Sequence, residues 1–410
     1  MCFYSVHNVK HNADSEDARK RQVIYHKYTS LNSSDFWHDA TINNFLITGG
    51  SLSMREDQLL HAIIDVSKRF AHPVIVLNGD SHLEDILVKR TMNGEINKLI
   101  PSSCNKCNYD LFNHLKRDYV KTIIQKVVQN YGYQQYYSGI SAYTDAFLRI
   151  IEIENPITLD SIMQLMQKTD IQIRQYAKSN SLAGMTADSI SANPDYGQAF
   201  REVIKLISSA FSNIKCNRAT GLNTARFSEP RYCTEHSVIC ISTNSPNESV
   251  MTTVLAGELE IFLSKGVPFS LIMHECTPSP ELLRTVMTIR DKGNCTVGIC
   301  TENAIAYATS LNGNDTLLKN FPSVMVINNG HADQKSLSAI LALFGEYEST
   351  VAQIAAGGPP GLFGKYAPGA VHIAPHIELK QRVMPENIYG YQIATMGDRG
   401  REVHIYRGYR

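Results

Sequence analysis

The stretch Asn44–Ile86 constrains the fold most. Phe45-Leu46-Ile47 is an apolar run that stops at Thr48-Gly49-Gly50, and Leu59, Leu60, Ile63, Ile64 and Val66 follow at helical spacing. Val74-Ile75-Val76-Leu77 is a second, wholly apolar run, ending at Asn78-Gly79-Asp80. Strand, glycine turn, helix, strand is the grammar of a parallel sheet covered on both faces. In such sheets the turn after the first strand lies at a helix N-terminus, where a phosphate can be held.

The residues in that turn depart from what a nucleotide phosphate needs. A phosphate-binding loop reads G-x-x-x-x-G-K-[ST]. Counted from Gly49, Met54 stands at the second glycine, Arg55 at the lysine and Glu56 at the hydroxyl. A side chain at Met54 obstructs the curl by which backbone N–H groups surround an anion. Glu56 repels a polyphosphate where a hydroxyl would hold Mg²⁺, and Arg55 is a planar fork rather than a point charge. Gly49, Gly50, Ser51, Ser53 and Arg55 are the candidate cofactor-binding positions here. Asp80, after the second strand, is another, with helix capping as its competing role.

Apolar runs and helical segments keep alternating further on. Ser237–Ser242, Phe269–Met273, Thr296–Cys300 and Ser323–Asn328 read as buried strands, with helices over Ser249–Lys265, Pro280–Arg290 and Gln334–Gly345. The strand ending in His274-Glu275 has the form of a Walker B segment with histidine at the Mg²⁺-binding aspartate and Glu275 at the base. Glu302, after Thr296–Cys300, adds negative charge where a polar sensor would face the γ-phosphate. Glu275 and Glu302 are candidate catalytic residues. An ion pair or a cap at the strand end is the plainer role for His274 and Glu275.

Between residues 108 and 196 no strand alternation occurs, which reads as an all-helical insertion. Its Lys116, Arg117, Lys121, Lys126, Lys168, Arg174 and Lys178 are nucleic-acid candidates, but solvated helix faces explain them as well. The division is residues 1–34 as an N-terminal arm with one strand near Val23-Ile24-Tyr25, 35–107 and 197–395 as the α/β domain, 108–196 as the insertion, and 396–410 as a basic edge strand. Residues 350–370, rich in glycine and proline, read as a surface loop, and Gly364-Lys365 lacks the rest of a phosphate-binding motif.

Composition bounds the function classes. Lysine plus arginine and aspartate plus glutamate both number 39 in 410 residues, so no global field favours nucleic acid or membrane. No apolar run reaches the roughly 18 residues that span a bilayer. Nine scattered cysteines and a polar N-terminus suit a cytoplasmic protein with reduced thiols. Cys104 and Cys107 lack the second pair a structural zinc needs, Pro375 breaks the helix that would align His372 with His376, and no metal is expected.

The order NFLITGGSLSM, VIVLNGD, helical stretch, FSLIMHE, TIRDKGNCTVGICTEN, VMVINNG resembles the type IV secretion coupling proteins, of the FtsK/HerA-like branch of RecA-fold P-loop ATPases. The resemblance implies a RecA-like α/β fold, a mostly parallel sheet with helices on both faces and an inserted all-helical domain. It also implies ATP and Mg²⁺ as cofactors, DNA and secretion or conjugation proteins as partners, and a homo-oligomeric ring, a hexamer. Arg290 matches an arginine ahead of the sensor strand and joins the catalytic candidates by that match alone. Met54, Arg55, Glu56, His274 and Glu302 depart from the family pattern, and all argue against Mg-phosphate chemistry.

Three readings stay open. The first is an ATPase-inactive relative of the DNA-translocase motors, binding DNA or protein. The second is a divergent ATP hydrolase that uses Arg55 on phosphate and Glu275 as base. The third is an unrelated α/β enzyme using Asp80, His274 and Glu275 at the same sheet edge.

Overall fold

The computed structural model describes residues 25–27, 37, 44–101, 111–112, 115–153, 155–180, 188–190, 194–212, 236–264, 266, 268–291, 296–302, 304, 321, 323–328, 346–355, 372–381, 390–397 and 400–407. The Cys104–Cys107 pair, Gly364-Lys365 and the helix expected over Gln334–Gly345 lie outside them.

The glycine-turn unit folds as its pattern predicts. Strand β2 (Phe45–Gly49) leads into α1 (Leu52–Arg69), then β3 (Val74–Asn78) and α2 (Ser81–Met92). Ser51 caps α1 by accepting from the Met54 N–H, and Lys68 and Arg69 sit in its last turn against the dipole. A further strand, β4 (Lys98–Pro101), follows. Beyond it come β5 (Ser237–Ser242), α8 (Glu248–Ser264), β6 (Ser270–His274), α9 (Pro280–Asp291), β7 (Val297–Thr301) and β8 (Ser323–Asn328).

Seven strands form a parallel sheet in the order β8-β2-β7-β6-β3-β5-β4. Both faces are apolar, so alternate residues of one strand enter two cores. Phe45 and Ile47 of β2, with Val74, Val76, Ile272 and Cys300, pack against α1 and α2. Leu46, Ile75, Leu77, Leu271 and Met273 face the other way, towards α8 and α9. That is why the strands read as continuous apolar runs.

Between β4 and β5 the regular structure of the described residues is helical: α3 (Arg117–Asn130), α4 (Tyr137–Ile151), α5 (Leu159–Met166), α6 (Asp170–Ser179) and α7 (Pro194–Ala210), with a short 3₁₀ turn before α4. Thr158 and Thr169 open α5 and α6 with reciprocal capping boxes. Tyr143, Phe147 and Phe200 stack where α4 meets α7. The core of these helices is continuous with the α8 face of the sheet, and Ile123 of α3 lies so close to Gly257 of α8 that a Cβ there would stand 2.7 Å from it.

Two expectations need correction. Residues 350–355 belong to a strand, β9 (Glu346–Ala355), paired antiparallel with β10 (His372–Gln381), so the surface loop does not begin at 350. The strand near the C-terminus is no edge strand: β12 (Gly400–Arg407) lies between β11 (Gly390–Gly397) and β1 (Tyr25–Lys27). β11 in turn joins β8 antiparallel, extending the sheet to ten strands. β9 and β10 form a two-stranded sheet of their own, whereas the return from β11 to β12 lets polar strands add to a finished sheet without an apolar run to announce them.

Two consequences are measurable. A Cβ on Gly298 of β7 would stand 2.2 Å from Phe45 Cζ, so Gly298→Ala should lower the urea midpoint, costing about 1–3 kcal/mol. His72 is buried, hydrogen-bonded through Nε2 to Ser270 Oγ at 2.9 Å, and stacked on Phe70. Burial, and then the nearby His236, lower its pKa from 6.5 to about 4. The unfolded chain takes up this proton between those values while the folded one refuses it, so stability should fall as pH drops from 6.5 to 4. In His72→Gln that part of the acid slope should vanish from unfolding curves.

Candidate functional site

The C-terminal ends of β2, β7, β6 and β3 lie side by side, and the candidate residues sit there. Gly49 and Gly50 both take positive φ, 79° and 66°, which turns the chain from β2 into α1. Gly50 also lies against β8, with no room for a Cβ beside Ile327. Ser51 and Ser53 share a hydrogen bond between their hydroxyls at 3.1 Å at the exposed start of α1.

Arg55 fills the inside of the turn. Its side chain is 3% exposed, Nη1 donates to the carbonyls of Gly49 (3.0 Å) and Gly50 (2.7 Å), and Nε donates to Glu275 Oε1 at 2.7 Å. Nη2 lies 3.9 Å from Glu302 Oε2. An anion site presents inward N–H groups, whereas this turn presents carbonyl oxygens to a guanidinium of the same chain. Two of the three guanidinium nitrogens that would meet a phosphate are thus bonded to protein acceptors.

Glu275 sits just beyond β6 with φ 47°, its N–H donating to the Cys300 carbonyl at 2.8 Å. Its Oε2 accepts from the Glu302 N–H at 3.3 Å. Burial pushes its pKa up, opposed by the Arg55 charge. Gly79 packs so tightly on this bend that a Cβ would stand 2.1 Å from the Glu275 carbonyl oxygen. The plainer role foreseen for Glu275, an ion pair at a strand end, is therefore present.

Glu56, at the hydroxyl position, turns towards α2. Its Oε2 meets His82 Nδ1 at 2.8 Å and raises the imidazole pKa through that hydrogen bond and its charge. Asp80 caps α2, accepting from the His82 N–H at 2.7 Å. Next to Glu275, His274 is fully buried and its Nδ1 meets Asn78 Oδ1 at 2.7 Å.

The structure thus brings Gly49, Gly50, Arg55, Glu275 and Glu302 into one contact group, with Ser51, Ser53 and Asp80 around it. It does not bring Arg290 there. Helix α9 leaves the site end after β6 and returns to the start of β7, which places Arg290, in its last turn, at the opposite edge of the sheet. Asn78 and Cys300 were missed. Their signal was strand register: Asn78, His274 and Cys300 are direct partners across β3, β6 and β7.

The basic residues between β4 and β5 are largely engaged. Arg117 pairs with Asp145 and Glu152, Lys126 with Glu260 and Arg174 with Asp188, while Lys168 lies over the Tyr176 ring. Among the described residues no helix is long and apolar enough to cross a membrane.

No protein-family model matches the sequence, and no curated protein matches it. Solved structures do. The plasmid coupling protein TrwB in complex with the ATP analogue ADPNP aligns over 97% of this chain and 93% of that chain, with a TM-score of 0.59 and 15% identity. TrwB with ADP and Mg²⁺ gives the same coverage and TM-score at 14% identity. The unbound monoclinic form of the bacterial conjugative coupling protein TrwBdeltaN70 covers 91% of this chain and 87% of that one, with a TM-score of 0.58 and 14% identity. The chain has the RecA-like fold of these TrwB structures, a parallel sheet with helices on both faces.

The Arg55–Glu275 contact makes its own prediction. Arg55→Met removes one partner and leaves the half-buried Glu275 carboxylate without its countercharge, which should destabilise the fold by about 3 kcal/mol. The double variant Arg55→Met/Glu275→Gln should recover more than half of that loss in urea unfolding. Additive losses would mean the two side chains are not coupled.

Proposed function

We propose that this chain is an ATPase-inactive form of the coupling-protein fold, serving as a binding subunit in conjugation or secretion machinery. The observation that carries the reading is Arg55, inside the glycine turn and bonded to Gly49, Gly50 and Glu275. A Mg²⁺-nucleotide does not fit these residues. Its phosphate would have to displace a buried guanidinium from three acceptors, and Glu56, at the position of the metal-binding hydroxyl, is turned to His82 instead. The nucleotide and Mg²⁺ belong to the TrwB complexes.

Partner chemistry follows from charge. The chain carries no net charge, and several basic residues of the helical stretch are already paired. Duplex DNA is held mainly by unpaired cations against phosphate, so these features favour protein partners over DNA. The division into an α/β domain (35–107 and 197–395) and a helical insertion (108–196) gives such partners two surfaces. Assembly as a hexameric ring in the cytoplasm rests on the resemblance and is read by sedimentation.

One observation favours a second reading, a divergent ATPase. Glu275 stands in the base position with a raised pKa, which suits proton transfer if a substrate can reach it.

Calorimetric titration with ATPγS, with and without Mg²⁺, separates the two. No heat at millimolar nucleotide is expected. Micromolar, Mg²⁺-dependent binding would overturn the proposal, and turnover abolished in Glu275→Gln would then establish the second reading.

A further inference from the structure

Glu275 belongs to a second constellation that the nucleotide question leaves unexplained. Asn78, His274 and Cys300 occupy one register row across β3, β6 and β7, so their side chains emerge on the same face of the sheet. That face is the one covered by α1 and α2, since Val76, Ile272 and Cys300 lie in the core beneath those helices. One ligand atom each from His274, Glu275 and Cys300 lies within 4.8 Å of the others.

The hydrogen bonds fix the state of His274. Asn78 Oδ1 accepts from the Asp80 N–H at 3.2 Å, which orients the amide. The same oxygen meets His274 Nδ1 at 2.7 Å, so Nδ1 carries the proton and donates. Nε2 is left as a bare lone pair, and it is buried with no hydrogen-bond partner among the described residues. A fully buried imidazole whose other nitrogen is held by an amide oxygen is how a protein presents a histidine to a metal. Glu56 Oε1 is likewise buried without a partner, and its charge reaches Cys300.

We propose that His274, Glu275 and Cys300 bind a divalent cation of zinc type. Imidazole, thiolate and carboxylate are a borderline-soft donor set, which selects zinc-like ions and is poorly matched to Mg²⁺. Zinc bonds of about 2.0–2.3 Å place tetrahedral ligands about 3.3–3.8 Å apart, so separations of at most 4.8 Å need close by no more than about 1.5 Å on binding. The charges also fit. Glu275 and Glu302 flank the single guanidinium of Arg55, and Glu56 adds its charge on the Cys300 side, leaving negative charge for a cation to balance.

Binding is balanced as follows. The Cys300 thiol, which now contacts the Arg55 carbonyl at 3.9 Å, loses its S–H bond. Sulfur keeps the electron pair for the metal, and the proton passes to solvent. Glu275 uses lone pairs not taken by Arg55 Nε and the Glu302 N–H, since a carboxylate offers about four. Water completes the fourth position. Asn78 is a positioning residue, acting through the His274 ring.

The test is cobalt titration of the full chain after chelator treatment. Co²⁺ should bind stoichiometrically with a near-ultraviolet thiolate-to-cobalt charge-transfer band, and Zn²⁺ should displace it. Cys300→Ser should abolish the band, Cys104→Ser/Cys107→Ser should keep it, and Asn78→Ala should weaken binding about 10–100-fold with the band retained. X-ray absorption of the zinc-loaded unmutated chain gives an answer that does not depend on a variant folding. One sulfur with nitrogen and oxygen neighbours supports the site, while no sulfur, or two or more, overturns it. Absence of the band, or a band that survives Cys300→Ser, overturns it too.

Discussion

One guanidinium ties this end of the sheet together. Arg55, near the start of α1, ties the glycine turn just before it to the bend after β6 and the loop after β7, two segments far away in the sequence. Desolvating an arginine is expensive, and the pair with Glu275 offsets rather than exceeds that cost. Its effect lies in geometry. A planar fork with fixed donor directions admits one arrangement of two carbonyls and a carboxylate, so the glycine turn is held in a single closed shape. An empty phosphate loop has no such internal partner.

Polarity in strand β6 is confined to its two ends. Strand β6 begins at Ser270, which meets His72 and the Thr296 N–H, and finishes at His274, which meets Asn78. Between them Leu271, Ile272 and Met273 are wholly buried in apolar cores. Both buried imidazoles have a pKa lowered to about 4, chiefly by burial, so both stay neutral at physiological pH. The two ends differ in what remains over. His72 is spoken for by Ser270 and the stack on Phe70, whereas His274 keeps a free nitrogen lone pair.

The central sheet was legible because buried parallel strands are apolar throughout and their helices carry a 3.6-residue period. Arg55, Glu275 and Glu302 could be found as well, since strand ends next to a glycine turn meet in space. The nature of their meeting could not. The motif comparison treats Arg55 as a phosphate ligand or a lost lysine, and nothing in the letters says that its donors turn back on Gly49 and Gly50. Strand order decides what lies beside what, and a sequence does not state it. Hence Asn78 and Cys300 went unnoticed, and Arg290, placed only by a family's pattern, lies at the far edge of the sheet. The hairpin strands β11 and β12 were obscure for another reason: residues with mixed polarity carry little periodic signal of burial.

The pairing of β1 with β12 bears on how the chain folds. Tyr25 lies beside Val403, so β1 waits for a partner strand that is made far later. At synthesis rates of about 5–20 residues per second, its partner leaves the ribosome roughly 20–75 s later. The parallel strands from β2 to β8 can pair during that interval. The outer margin of the sheet cannot, and β8 keeps an open flank until β11 arrives. Closure of this margin therefore comes late, and until β11 and β12 are in place a templating edge stays exposed to other nascent chains.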